Sequence, residues 1–219
     1  MEIKIKIKDN TFIVPDEVTA RQWSVISILP RDPRHLISNV LGCSPFDIQQ
    51  LDEEDILEMY EYCVLPLKGL YKDGGSKITD EQLEGLTFGQ WIDLDVLAHR
   101  EPNLYLCEIL EMLGLEGVED RPLSEVIGSF KHYLTWRASV YKNYKNLFGL
   151  EDASSEDTDP SEVDIERVWY DAIMLLADDN FSNIDLVTEK PYKAALNYMA
   201  WKKEKTMREL EEMKKIQKK

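Results

Sequence analysis

Ile3, Ile5 and Ile7 alternate with Lys4, Lys6 and Lys8, which puts apolar side chains on one face of an extended segment and charges on the other. Asp9 and Asn10 supply turn chemistry and Thr11 to Val14 are again strand formers, so the pattern predicts an N-terminal β-hairpin. Two strands alone are marginally stable in water. The hairpin is therefore expected to pack on the helices that follow or to add to another sheet.

Further along, the apolar period lengthens to that of a helix. Thr19 with Gln22 forms a reciprocal capping pattern, followed by Trp23, Val25 and Ile26 as an apolar surface; Thr87, Gln90, Trp91 and Leu94 repeat it. The shared T-x-x-Q-W pattern predicts two capped helices whose tryptophans enter a core. Pro30 and Pro33 interrupt the first helix, and shorter helices are expected near 33–40, 45–50 and 53–64, the last ended by Pro66. Asp52 to Asp55 favour the start of that helix as partners of its dipole. Gly74 and Gly75 lie in a polar stretch that reads as a mobile connector, since a phosphate-binding loop needs a fuller glycine and Lys-Ser/Thr pattern.

Thr79 to Leu83 begins the return to structure, and helices are expected over 87–98 and 103–113. The span 123–147 reads as one long helix or as two segments kinked near Gly128. Val168, Ile173 and Leu176 mark a helix ending by about Asp179, and Thr188 is expected to cap the next, with Pro191 in its first turn and Ala195, Met199 and Lys202 on its stripe. Glu209, Leu210, Met213 and Ile216 continue that pattern sparsely through Lys218. The expected fold class is α+β, predominantly helical with a small N-terminal hairpin. Residues 1–71 form a hairpin and short helices, 78–150 a central helical region sharing the core, 151–164 an acidic linker, and 165–219 a C-terminal helical module with a basic tail.

Charge sharpens that last third. Glu151 to Glu166 hold eight carboxylates and no basic side chain, whereas Trp201 to Lys219 hold eight Lys or Arg against four Glu. The chain as a whole carries −16, which disfavours nonspecific nucleic-acid binding by the whole surface but leaves local contact through the basic tail open. A hydrophobic fraction of 43% and five tryptophans argue against global disorder. Without a signal-like start or a long apolar run, a soluble, non-secreted protein with no membrane contact is the expectation.

Reactive side chains are scattered. Cys43, Cys63 and Cys107 are odd in number and widely spaced, which reads as buried thiols. His35, His99 and His132 fit no zinc pattern, Glu108 and Glu111 share only ordinary helical spacing, and Asp93 and Asp95, two apart, need not face the same way. Catalytic, cofactor-binding and metal-binding residues are accordingly expected to be none, and a hydrolytic enzyme or a nucleic-acid-binding protein is the weaker reading. The residues expected to make protein contacts are Trp169, Tyr198, Trp201, Lys202, Lys203, Arg208, Lys214 and Lys215.

The stretches W-Y-D-A-I-M-L-L-A-D-D (169–179) and V-T-E-K-P-Y-K-A-A-L-N-Y-M-A-W-K-K (187–203) resemble tailed-bacteriophage proteins, specifically the small tail-assembly proteins that accompany the tape-measure protein. F-I-V-P-D-E-V-T-A-R-Q-W (12–23) and L-T-F-G-Q-W-I-D-L (86–94) add to the likeness. The resemblance implies a noncovalent assembly chaperone or adaptor in tail morphogenesis, with phage tail or tape-measure proteins as partners. It places the chain in the bacterial host cytoplasm during assembly. A permanent structural subunit of the virion neck, tail or packaged cargo is the alternative, and a homo-oligomer fits either role.

Overall fold

The computed structural model describes residues 4–7, 9–28, 32–49, 51–63, 74–148 and 165–217. The expected acidic linker at 151–164 lies outside the described residues, as do Lys218 and Lys219. In chain order the elements are β1 (Lys4–Ile7), β2 (Asn10–Ile13), α1 (Ala20–Ile28), α2 (Pro33–Leu41), α3 (Pro45–Ile48), α4 (Glu53–Cys63), α5 (Asp80–Glu84) and α6 (Phe88–Arg100). There follow α7 (Leu106–Met112), α8 (Leu123–Asn143), α9 (Lys145–Phe148), α10 (Ile165–Leu176), α11 (Ile184–Thr188) and α12 (Tyr192–Gln217). The fold is predominantly α-helical, with one small antiparallel hairpin near its N-terminus.

Contacts divide the chain into two compact units, each assembled from separate stretches of sequence. The first takes Met1–Thr79 with Glu101–His132, and the second takes Asp80–Arg100 with Tyr133–Lys219. The sequence's central region, 78–150, thus contributes to both.

In the first unit, β1 and β2 pair antiparallel with Ile5 opposite Phe12 and Ile7 opposite Asn10, so Asn10 belongs to the strand rather than to the turn. Ile7 is buried while Lys4 and Lys6 are exposed, as alternation requires. Pro33 occupies the first turn of α2, where Asp32 accepts from the Arg34 N–H at 3.0 Å. Gly42 closes that helix at φ 64°, a left-handed conformation that lets the Cys43 N–H reach the Ser38 carbonyl. The segment before α1 lies against the start of α8: Leu123 N–H donates to the Val18 carbonyl, Ala20 N–H to the Arg121 carbonyl, and Glu17 accepts from the Ser124 N–H. Gly74, expected in a mobile connector, instead donates to the Ser124 carbonyl at 3.2 Å, and a Cβ there would sit 2.9 Å from that oxygen. Close approach of two backbones explains the glycine.

Both T-x-x-Q-W segments form the reciprocal cap. Thr19 N–H donates to the Gln22 side-chain oxygen at 3.0 Å and Gln22 N–H donates back to the Thr19 hydroxyl at 3.2 Å; Thr87 and Gln90 repeat both distances. Their tryptophans part company, because Trp91 is fully buried and Trp23 only half-buried. α8 runs as one unbroken helix through Gly128, whereas α7 begins at Leu106, later than its pattern implied.

The second unit corrects one expected cap. Thr188 ends α11 with its hydroxyl donating to the Ile184 carbonyl at 3.1 Å, so it caps nothing, and α12 starts at Tyr192 after Pro191. Bonds from Phe88 N–H to the Lys190 carbonyl and from Tyr192 N–H to the Leu86 carbonyl register this junction against the start of α6. Such nonlocal pairing is invisible to periodicity.

Each capping box satisfies two backbone donors that the first helical turn cannot. Thr19→Ala and Thr87→Ala are each expected to lower unfolding free energy by about 1 kcal/mol, and Thr→Ser at either site to lose far less. Urea unfolding followed by tryptophan fluorescence measures both.

Candidate functional site

The chemistry of the second unit begins with Asp95. It is fully buried on α6, where an isolated carboxylate would be strongly disfavoured. Its oxygens are met by Arg137 Nε at 2.7 Å, by the Tyr141 hydroxyl at 2.8 and 3.0 Å, and by the Trp169 indole N–H at 2.9 Å. Arg137 and Tyr141 lie one turn apart on α8, and Trp169 comes from α10, so one carboxylate joins three helices. Burial acts to lower the Arg137 pKa, but Asp95 beside it raises it above the ordinary value. Burial and then the Asp95 charge push the Tyr141 hydroxyl up, so it stays a neutral donor.

Glu84, at the end of α5, performs a related task in a more exposed setting. It accepts from Trp136 Nε1 at 3.3 Å and from the Tyr192 hydroxyl at 3.2 Å, and it pairs with Lys193. Burial alone would raise its pKa; the bonds from Lys193 and Trp136 outweigh that and hold it below the usual carboxylate value. Between the two acids lies an aromatic core. Trp91 stacks on Tyr192 at 5.4 Å and meets Trp136 edge-on at the same distance, while Phe148 stacks on Tyr141 at 4.2 Å and meets Trp169 edge-on at 6.0 Å.

Above this core runs a groove of about 840 Å³. Tyr141, Phe148 and Trp169 contribute its aromatic surface, and α10 supplies one wall through Ile165, Val168, Ala172 and Leu175. These recur at intervals of three, four and three, which aligns them on one helix face. The opposite contribution comes from Met199, Lys202, Lys203, Thr206 and Met207 of α12. His99 and Arg137 complete the polar part of the lining, and among the described residues no carboxylate belongs to it. Val168 is 49% exposed, Leu175 44% and Met207 54%, so the apolar surface is open to solvent.

From Lys203 onward every described α12 residue with an assigned exposure is exposed, although Leu210, Met213 and Ile216 are apolar. Leu210 and Met213 continue the helix face of Met199, Lys203 and Thr206, at spacings of four, three, four and three. The groove therefore extends into an apolar stripe on a helix that stands clear of the core.

Of the residues expected to make contacts, Trp169, Lys202 and Lys203 come together here. Trp169 is 3% exposed and serves as both core and groove surface, while Lys203 Nζ donates to the carbonyls of Asn146 and Leu147 at 2.5 and 3.3 Å. Tyr198 and Trp201 lie outside the groove, exposed and 5.7 Å apart, with Lys205 over the Trp201 ring at 5.5 Å. Arg208, Lys214 and Lys215 lie on the exposed part of α12, where Arg208 Nε donates to the Glu204 carbonyl. Asp95, Arg137 and the Val168 stripe were not singled out as functional from sequence. The 3-4-3 spacing of Ile165 to Leu175 was the readable signal; the Asp95 partners, 42 to 74 positions away, left none.

The scattered reactive groups stay scattered. Burial pushes the thiols of Cys63 and Cys107 up to about 11, which keeps them protonated and poorly nucleophilic near neutral pH. His132 Nδ1 bonds with Ser76 Oγ at 2.9 Å, and His35 lies 3.6 Å from Asp32. Among the described residues no cluster of three or more His, Cys, Asp or Glu could hold a metal ion, and no helix is long and apolar enough to cross a membrane.

Removing one member of a buried ion pair strands the other and typically costs about 3–5 kcal/mol. Asp95→Ala is expected to destabilise the protein by that order in urea unfolding. Asp95→Leu combined with Arg137→Met is expected to recover a large part of it, because both charges leave together.

Comparison with protein-family models, with characterised proteins and with solved structures finds no match to this chain.

Proposed function

We propose that this chain is a noncovalent protein-binding adaptor or assembly chaperone whose docking surface is the groove between α10 and α12. The observation that carries this reading is the open apolar surface itself. Val168, Leu175, Met207, Leu210 and Met213 remain exposed although each would gain by burial, at roughly 25 cal/mol per Å² of apolar area covered. Exposed apolar surface of this kind, bordered by charge, marks a protein contact more readily than a reaction centre. The nearest polar cluster supports the same view, since the oxygens of Asp95 are occupied by Arg137, Tyr141 and Trp169.

The narrower assignment to bacteriophage tail morphogenesis rests on the sequence resemblance alone. In that reading, the groove receives a helical segment of a tape-measure or tail protein and keeps it from aggregating until assembly. The permanent-subunit alternative differs in outcome rather than in contact. Mass spectrometry of purified particles separates the two: stoichiometric retention identifies a component, and loss after assembly identifies a chaperone.

Co-expression with tape-measure and tail-tube proteins tests the assignment. Co-purification of either is expected, and Val168→Glu, at a half-exposed position, is expected to abolish it without loss of the folded far-UV signal. Failure of both proteins to co-purify contradicts the tail-assembly role.

A further inference from the structure

Charge decides what kind of helix the groove suits. The chain carries 42 acidic and 26 basic side chains, yet among the described residues His99, Arg137, Lys202 and Lys203 line the groove and no carboxylate does. With Arg137 offset by Asp95, Lys202 and Lys203 make the described lining a local patch of positive charge in a chain with a net charge of −16. It repels basic segments and attracts acidic ones.

Shape decides that the ligand is a helix. The α10 wall presents Ile165, Val168, Ala172 and Leu175 at 3-4-3 spacing over roughly 15 Å. On α12, Met199, Lys203, Thr206, Leu210 and Met213 keep 4-3-4-3 spacing over roughly 21 Å. Two helix faces of this periodicity accept the a and d side chains of a third helix as knobs, in the geometry of a helical bundle. A small molecule would leave the Leu210 and Met213 end of the stripe uncovered.

From these two observations we infer that the groove binds an amphipathic helix from a partner protein, with apolar residues at a and d and carboxylates on the flanks that meet Lys202 and Lys203. The charge order along α12 extends the specification. Lys202, Lys203, Lys205 and Arg208, with Glu204 among them, are followed by Glu209, Glu211 and Glu212 and then by Lys214 and Lys215. The partner's acidic side chains lie beside Lys202 to Arg208, at the groove end of α12.

This inference deepens the docking role proposed above and rests on it. The test uses the full chain and two designed three-heptad peptides with Leu at a and d, one carrying Glu at e and g and the other Lys, followed by fluorescence anisotropy. The Glu peptide is expected to bind one to one and at least about ten-fold more tightly than the Lys peptide, with the difference shrinking as salt is raised. Val168→Glu is expected to remove binding of the Glu peptide, and Lys202→Glu to invert the preference. Equal or stronger binding of the Lys peptide, or no binding of either, overturns the inference. So does a peptide-free dimer that Val168→Glu dissociates, which makes a second copy the occupant. Binding that emerges only after the carboxylates within 151–164 are replaced by amides overturns it too, because the chain's own acidic segment is then the ligand. If tail proteins co-purify through the groove while the peptide preference is reversed, the charge inference fails and the docking role stands. If the peptide result holds and no tail protein co-purifies, the tail-assembly role fails and the groove chemistry stands.

Discussion

A carboxylate with no access to water organises the second unit. Burying Asp95 on α6 is unfavourable unless its charge is matched, and the match comes from Arg137 and Tyr141 on α8 and Trp169 on α10. Because these groups must converge within hydrogen-bonding distance, the three helices cannot shift independently. Glu84 acts similarly with Trp136 of α8 and Tyr192 and Lys193 of α12. The aromatic residues between the two acids then pack with defined ring geometry. Specificity of arrangement, more than net stabilisation, is what a satisfied buried network contributes.

The groove follows from that arrangement. Trp169 turns inward to reach Asp95, so the 3-4-3 stripe on the neighbouring face of α10 points away from the core. Likewise, Tyr192, Ala195, Leu196 and Met199 bury the first turns of α12, and nothing described covers the turns beyond Lys203. A helix with one face in the core and a second apolar face exposed is poorly explained by folding alone. A preformed groove lowers the ordering cost on the protein's side when a partner helix docks, since its walls are already placed.

Local physics was legible in the sequence, and nonlocal chemistry was not. Thr19 with Gln22 and Thr87 with Gln90 were readable as capping boxes because all the participating atoms lie within one turn. The hairpin, the continuous helix at the C-terminus and the predominance of helix followed from periodicity in the same way. Thr188 misled because a threonine before Pro191 has the composition of a cap, while the extra short helix it closes has too few residues to show a period. In the sequence Asp95 is half of an ordinary acidic pair, since sequence carries no record of Arg137 and Trp169 arriving beside it. The contact residues divided by position: Lys202 and Lys203 face the groove, whereas Tyr198 and Trp201 take another side of the same helix.

If a partner helix docks on the exposed faces of α10 and α12, it must slow amide exchange there. Hydrogen–deuterium exchange of the chain with and without the acid-flanked helix tests it most directly, because it locates protection without presuming a contact. Slowed exchange is expected, confined chiefly to 165–177 and 199–213, with the hairpin and α1 to α4 unchanged. Protection centred on the first unit, with α10 and α12 exchanging as they do alone, would contradict it.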